Sequence, residues 1–149
     1  MIAIGRRGLG GVIAAAARPA AAQIGMPGEG AFVEHRLALQ ISIAPQARQT
    51  EVLNVAYNVL TYYGPDKVSI RIVAFAGGIE LLRIGNKETP RIAALVKQGV
   101  HFDACQNTMD AIQRKTGKPF PRNPLSHPVP AGVVQLITLS EHGYTIIRP

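Results

Sequence analysis

Apolar and polar positions follow two different periods along residues 35–149. Short runs that are alternating or continuously apolar and rich in β-branched residues are typical of strands, whereas apolar residues three and four positions apart are typical of helices. These patterns predict strands at 35–43, 68–75, 100–104, near Val129 and at 144–147. They predict helices at 45–63, 79–84, 89–98, 106–115 and 131–141. Strands and helices therefore alternate along the chain.

This alternation predicts one α/β domain built on a parallel sheet, because parallel neighbours need a crossover element between them. Right-handed crossovers place helices on both faces of such a sheet. We therefore expect a three-layer α/β/α sandwich, flavodoxin-like or Rossmann-like, with a mainly parallel sheet of about five strands. Binding sites in such folds lie beyond the carboxyl ends of the strands. Two segments fall in that zone, Ala76-Gly77-Gly78 and Cys105.

The first 22 residues carry the features of an export signal. Arg6-Arg7 precedes a mildly apolar stretch at 9–17, and Ala20-Ala21-Ala22 supplies a small-residue cleavage pattern. The paired arginines favour the twin-arginine route, while a Sec signal and a disordered tail are the competing interpretations. We expect cleavage near Ala22 and a periplasmic mature protein. The predicted division of the chain is an export signal at 1–22, a flexible lead-in at 23–34 and a domain at 35–149.

Composition narrows the classes of function. Hydrophobic residues make up 47% of the 149 residues and charged residues 17%, which is typical of a globular chain. The net charge is +7, but residues 1–22 hold three arginines and no acid, so 13 Lys and Arg against 9 Asp and Glu leave +4 elsewhere. The basic residues are not interleaved with aromatics on one face, which argues against nucleic-acid binding. No apolar run approaches the roughly 20 residues of a transmembrane helix, so no membrane span is expected.

The single cysteine, Cys105, lies where the third predicted strand gives way to a helix. A lone cysteine cannot form an internal disulfide, so it either bridges to another chain or stays a free thiol. The first N–H groups of a helix lack intrahelical partners and the helix dipole is positive there, and both favour a thiolate over a thiol. Cys105 is therefore the candidate catalytic nucleophile. The competing interpretation is a buried structural cysteine.

Polar groups and glycines near this junction are candidate supports. The amides of Asn58 and Asn107 could donate to a thiolate or a persulfide without adding charge. Asn107 and Thr108 can equally be ordinary first-turn residues of a helix. Gly77 and Gly78 precede a short helix whose end could hold an anion, although a tight turn also explains them and no P-loop or dinucleotide motif accompanies them.

The histidines do not form a ligand pattern. His101 and Cys105 are four residues apart, but a strand-to-helix junction lies between them, so they do not share a helix face. No G-x-S-x-G motif supports Ser/His/Asp catalysis. We therefore expect neither a metal site nor a bound cofactor.

A succession of short motifs along residues 36–149 resembles the DsrE/DsrF-like family of intracellular sulfur-oxidation and sulfur-relay proteins. The resemblance covers about three quarters of the chain, in order and without large gaps. The motifs are NVAYN at 54–58, VAFAGG at 73–78, GVHFDACQNTM at 99–109, VPAGVV at 129–134, EHGY at 141–144 and IRP at 147–149.

This resemblance implies a sulfur carrier rather than a classical turnover enzyme. The family's cysteine that matches Cys105 accepts sulfane sulfur as a persulfide and passes it on. Its partners would be sulfur donor and acceptor proteins or small thiols, and a homotrimer or homohexamer is implied. Two alternatives stay open: a non-catalytic binding or assembly module that uses Cys105 structurally, and redox sensing with a resolving thiol from a partner.

Overall fold

A five-stranded parallel sheet forms the centre of the protein. The computed structural model describes residues 26–149. Within them the strands lie in the order β4-β3-β2-β1-β5, and every neighbouring pair is parallel. The strands are β1 His35–Ile41, β2 Val68–Ala74, β3 His101–Cys105, β4 His127–Val129 and β5 Thr145–Ile147. All carboxyl ends therefore meet at one edge of the sheet, as predicted.

Helices cover both faces of the sheet. They are α1 Gln46–Tyr63, α2 Thr89–Lys97, α3 Gln106–Thr116 and α4 Gly132–Glu141. Residues of the first three helices belong to one apolar cluster with β1, β2 and β3, whereas α4 forms a second cluster on the opposite face. The predicted three-layer α/β/α sandwich is confirmed. In a flavodoxin the strand order is 2-1-3-4-5, so the shared feature is the layered parallel sheet and not the order.

The position of each strand follows from its residues. All seven residues of β2 are buried, because β1 and β3 flank it and helices cover both of its faces. A strand buried on both faces reads as a nearly continuous apolar run, and VSIRIVA is one with a single charge at Arg71. The edge strands β4 and β5 have three residues each, and most of those residues are exposed.

The short helix predicted at 79–84 is a 3-10 segment at Ala76–Leu82 instead. It begins directly after β2, with the Gly78 amide donating to the Phe75 carbonyl at 2.9 Å. Ala76 has φ +47°, in the left-handed region. Two glycines in succession let the backbone turn this tightly, so the segment starts earlier than its apolar residues indicate.

The predicted export signal at 1–22 lies outside the described residues and stays a prediction. In the predicted lead-in, residues 26–34 are described, and they contact the domain: the Glu29 carboxylate pairs with Arg36 at 2.6 Å, and Met26 packs on the α4 cluster. Across residues 26–149 no helix combines the length and the apolar character needed to cross a bilayer.

Candidate functional site

Cys105 is the last residue of β3 and the N-cap of α3, as the sequence predicts. Its backbone is extended, with φ −66° and ψ 113°, so the chain turns into the helix immediately after it. The first turn of α3 and the positive end of its dipole therefore lie beside this residue, and in that turn the Asn107 amide donates to the Pro130 carbonyl at 3.3 Å. This arrangement, at the carboxyl edge of a parallel sheet, is where α/β folds place reactive groups.

The side chain of Cys105 is buried, with the residue 4% exposed. Its neighbours on β3 fix the direction: Ala104 belongs to the cluster beneath α1, whereas Asp103 contacts Gln135 of α4. Because side chains alternate along a strand, Cys105 points to the α4 side. Across the sheet it pairs with Val129 of β4. The thiol therefore has little contact with solvent in the isolated chain.

Three predicted supporting residues line one groove between the 3-10 segment and α3. Gly77, Asn107 and Thr108 border a cavity of about 490 Å³. The Thr108 hydroxyl accepts a hydrogen bond from the Ala76 amide at 3.0 Å, which ties the strained start of the 3-10 segment to the first turn of α3. Cys105 is not among the residues that line this groove. The structure thus brings the supporting residues together but directs the thiol to the other side of the sheet.

Charge in this groove comes from two side chains. The Glu80 carboxylate accepts a hydrogen bond from Nε of Arg83 at 2.6 Å, and this bond lowers the pKa of Glu80. Lys115, also on the lining, is exposed. The floor is apolar and includes Ile79 and Ile112. The groove therefore has the character of a shallow contact surface with polar rims.

Gly78 and Gly77 are needed for close packing. A Cβ on Gly78 would lie far inside contact distance of the Ile41 carbonyl group and 2.8 Å from the Ser42 nitrogen, all of them backbone atoms. A Cβ on Gly77 would lie 3.0 Å from the Ala44 nitrogen. The 3-10 segment thus rests directly on the chain leaving β1. This agrees with the tight-turn interpretation of the two glycines.

Asn58 does not join the other candidates. It is exposed on the second half of α1. Because α1 starts at the carboxyl edge of the sheet and runs back toward the amino ends, Asn58 lies toward the edge opposite Cys105. Ala56 and Leu60 on either side of it are buried, so Asn58 stands outside the apolar stripe of α1.

The crevice between β1 and β5 is the other place where this fold could hold a ligand. The order of strands reverses there, which is the usual ligand position in open parallel sheets. The cavity lined by Ile41, Ser42 and Arg148 at this point measures only about 10 Å³. That volume admits at most one water molecule. The site is therefore better sought at the ends of β2 and β3.

A buried polar cluster on the α4 face went unnoticed in the sequence. Nη1 of Arg71 lies 3.8 Å from the Asp103 carboxylate, which accepts a hydrogen bond from Nε2 of Gln135 at 2.9 Å. Beside it the hydroxyls of Ser69 and Tyr144 are 2.7 Å apart. The available signal was a charged residue inside each of two apolar strands, since buried charges are rare unless paired.

Burial changes the acidity of two groups in this cluster. It lowers the pKa of His101, and the charge of Arg71 lowers it further, while a hydrogen bond to the Gly28 carbonyl opposes the shift. Burial raises the pKa of Tyr144, against which the Ser69 hydroxyl acts. Both shifts favour the neutral form of the side chain. His127 lies close to His101, with ring centroids 5.9 Å apart.

The lowered pKa of His101 predicts a loss of stability in acid. In the unfolded chain the His101 side chain takes up a proton at about pH 6.5, whereas in the folded chain its pKa is lower. The stability that neutral His101 contributes is therefore present above pH 6.5 and is lost as the pH falls through the pKa of the folded state. We expect His101→Gln to reduce the fall in the urea midpoint between pH 7.5 and pH 5. The other histidines cancel in the difference between wild type and variant. An identical fall in both proteins would contradict this expectation.

Comparisons with known proteins place the fold but not the function. No protein-family model matches the chain, and the comparison with curated proteins gives no match either. Among solved structures, a protein of unknown function, MTH1491 from Methanobacterium thermoautotrophicum, superposes with a TM-score of 0.70. The sequences are 24% identical, and the match covers 78% of this chain and 100% of the other. At this identity the likeness shows a shared fold alone.

Proposed function

We propose that this chain is a thiol-based sulfur carrier of the DsrE/DsrF-like type, which accepts sulfane sulfur on Cys105 as a persulfide. The observation that carries the proposal is the position of Cys105 as N-cap of α3 at the carboxyl edge of the sheet. The motif succession described above supports the family. Asn107 and Thr108 follow in the first turn of the same helix, within the groove beside the 3-10 segment.

The proposed step conserves atoms and electrons. The Cys105 thiolate attacks the outer, protonated sulfur of a persulfide or polysulfide donor, and a new S–S bond forms at Cys105 as the donor's terminal S–S bond breaks. The transferred sulfur keeps its proton, and the electron pair of the broken bond leaves with the donor, now an anion shortened by one sulfur. No external oxidant is required, because the sulfane sulfur exchanges one thiolate partner for another. Transfer to an acceptor thiol is the same exchange in reverse. The positive end of the α3 dipole stabilises the anionic forms before and after the step.

Because the thiol is buried, the proposed carrier must open locally before it can accept sulfur. With Cys105 4% exposed, a donor reaches the sulfur only when the junction between β3 and α3 opens locally. The segment next to it contains Ala76, whose positive φ stores strain, tied to Thr108 by one hydrogen bond. That contact lies on the face of the sheet opposite the thiol, so the opening that exposes the sulfur is expected on the α4 side.

Sulfur loading tests the proposal directly. We expect the folded chain, incubated with inorganic polysulfide and then desalted, to gain mass in steps of one sulfur atom. Cys105→Ser should abolish the gain completely and keep the fold, since serine also suits the start of a helix. Intact-mass spectrometry measures the gain, and circular dichroism reports the fold. Treatment of the loaded protein with a thiol reductant should return the original mass.

The burial of Cys105 also favours a second candidate function, in which the cysteine is structural. If Cys105 only fills space, the chain is a non-catalytic binding or assembly module, and the folded protein should gain no sulfur while the urea-unfolded protein does. Cys105→Ser would then lower the urea midpoint, whereas Cys105→Ala would be better tolerated. Mass gain in the folded state excludes this alternative, and gain confined to the unfolded state excludes the carrier.

The proposed setting is the periplasm, in a homotrimer or homohexamer. The arginine pair and the Ala20-Ala21-Ala22 pattern support export of the mature chain. Self-association is supported by apolar side chains that the isolated chain leaves exposed, among them Tyr62, Tyr63 and Leu125. Donor and acceptor would then be exported proteins or small thiols.

A further inference from the structure

Residues 26–30, the cover segment, lie against the α4 face of the sheet. The Pro27 carbonyl accepts a hydrogen bond from Nη2 of Arg71 at 3.4 Å, and the Gly28 carbonyl lies 3.4 Å from Nε2 of His101. Gly28 has φ +86°, and a Cβ there would lie 2.8 Å from the same nitrogen of His101. Glycine therefore lets the backbone approach the ring. The segment touches two donor side chains through its carbonyl oxygens.

An ion pair anchors the cover segment. The Glu29 carboxylate lies 2.6 Å from Nε of Arg36 on β1 and accepts a hydrogen bond from the Met26 amide at 3.1 Å. Met26 packs on the apolar cluster beneath α4. The two carbonyl contacts at 3.4 Å are longer than ordinary hydrogen bonds of about 2.7–3.2 Å. The segment is therefore held by its anchor more firmly than by the two donors it covers.

Arg71 is buried with long contacts. Its side chain is 9% exposed, yet within residues 26–149 its polar contacts are the Pro27 carbonyl at 3.4 Å and the Asp103 carboxylate at 3.8 Å. A guanidinium has five N–H donors, and among the described residues the Pro27 carbonyl is the one acceptor within 3.5 Å of Arg71. His101 stands beside it, in register on β3. Two neighbouring donors thus point at oxygens that they bind only weakly.

The geometry points to an oxyanion site formed by Arg71 and His101, which the Pro27 and Gly28 carbonyls of the cover segment occupy in the free protein. The Pro27 oxygen lies against Arg71 and the Gly28 oxygen against His101, and a ligand with two oxygens would replace both contacts. The planar fork of a guanidinium also suits a carboxylate or a sulfonate. This site does not involve Cys105, which lies four residues along β3 from His101.

Charge selects the ligand class. Asp103 lies against the guanidinium and is also bonded to Gln135, so it offsets the charge of Arg71. The site favours a monoanion over a dianion, because a second negative charge would face the buried Asp103 carboxylate. A carboxylate or a sulfonate group supplies two oxygens and one charge. The inferred ligand is therefore a small molecule that carries one of these groups.

The ligand and the cover segment would compete for the same two donors, Arg71 and His101, so the strength of the cover should change the affinity for the ligand. Weakening the cover raises the fraction of open sites and tightens apparent binding by the same factor. Glu29→Ala removes the anchor without touching Arg71 or His101. We expect it to tighten binding roughly threefold to tenfold. Glu34→Ala is the matched control, because Glu34 pairs with Lys67 outside the cover segment and its loss should leave affinity unchanged.

The experiment is an NMR titration of the full chain with methanesulfonate and with acetate, at constant ionic strength set by chloride. We expect saturable amide shifts at Arg71, His101 and the cover segment, with faster hydrogen exchange of the cover at saturation. Tighter binding of one probe identifies sulfonate or carboxylate as the preferred group. Shifts no larger than those in chloride alone would overturn the site. Equal affinity in Glu29→Ala and wild type would overturn the competition.

Discussion

Replacing Gly78 with alanine should destabilise the protein by about 3 kcal/mol or more. The new methyl group would overlap the Ile41 carbonyl group and approach the Ser42 nitrogen to 2.8 Å. These are backbone atoms at the end of β1, so no side chain can rotate away to make room. The 3-10 segment must lift off the sheet, and with it the lining of the groove beside α3. Urea unfolding of the purified variant measures the loss.

Gly30→Ala is the matched control for this substitution. A Cβ on Gly30 meets only the Val33 side chain, at 3.8 Å, and the backbone of Gly30 is outside the left-handed region. The free energy of unfolding of the Gly30→Ala variant should differ from that of the wild type by about 0.5 kcal/mol or less. Similar urea midpoints for the two variants would show that the segment after β2 does not rest on β1.

Asp103→Asn should lower the free energy of unfolding by about 3 kcal/mol, although asparagine has the size and shape of aspartate. The amide oxygen of asparagine can still accept from Gln135, so the main change is the loss of the charge facing Arg71. Arg71 would then be a buried cation without its counter-charge, and its side chain is only 9% exposed. Breaking one half of a buried pair costs more than removing both halves. Chemical unfolding at pH 7 and constant salt gives the value.

A double-mutant cycle separates this effect from lost packing. The double variant Arg71→Met, Asp103→Asn should lose less free energy of unfolding than the two single variants lose together, because no uncompensated charge remains. The exposed pair Arg48–Glu51 on α1 serves as the reference cycle and should be nearly additive. Additive costs at Arg71 and Asp103 would mean that the 3.8 Å contact contributes no interaction of its own.

The local pattern was sufficient to predict the elements and their order. The continuous apolar run of β2, VSIRIVA, is typical of a strand buried on both faces, and that is its place in the sheet. The helix bounds came within one or two residues, because apolar stripes at period 3.6 and flanking glycines such as Gly117 and Gly143 act over a few residues only. The 3-10 segment was the exception, since its tight turn depends on contact with β1.

The candidate site was predictable only in part. The N-cap position of Cys105 followed from a strand that runs directly into a helix, which is local information. Its 4% exposure did not, because burial depends on segments that are distant in sequence, such as β4, where Val129 pairs with Cys105. The distance of Asn58 from the other candidates also depends on tertiary structure, because the direction in which α1 crosses the sheet places it toward the opposite edge.

The amino-acid sequence by itself determined the alternation of strands and helices, the three-layer fold and the position of Cys105 at the end of β3. These depend on periodicity and capping, which are properties of neighbouring residues. Tertiary structure alone decided that Arg71 meets Asp103, that Gly78 rests on Ile41 and that residues 26–30 contact His101. Each of these contacts joins segments tens of residues apart, and their pairing is set by strand order and register, which no local pattern encodes.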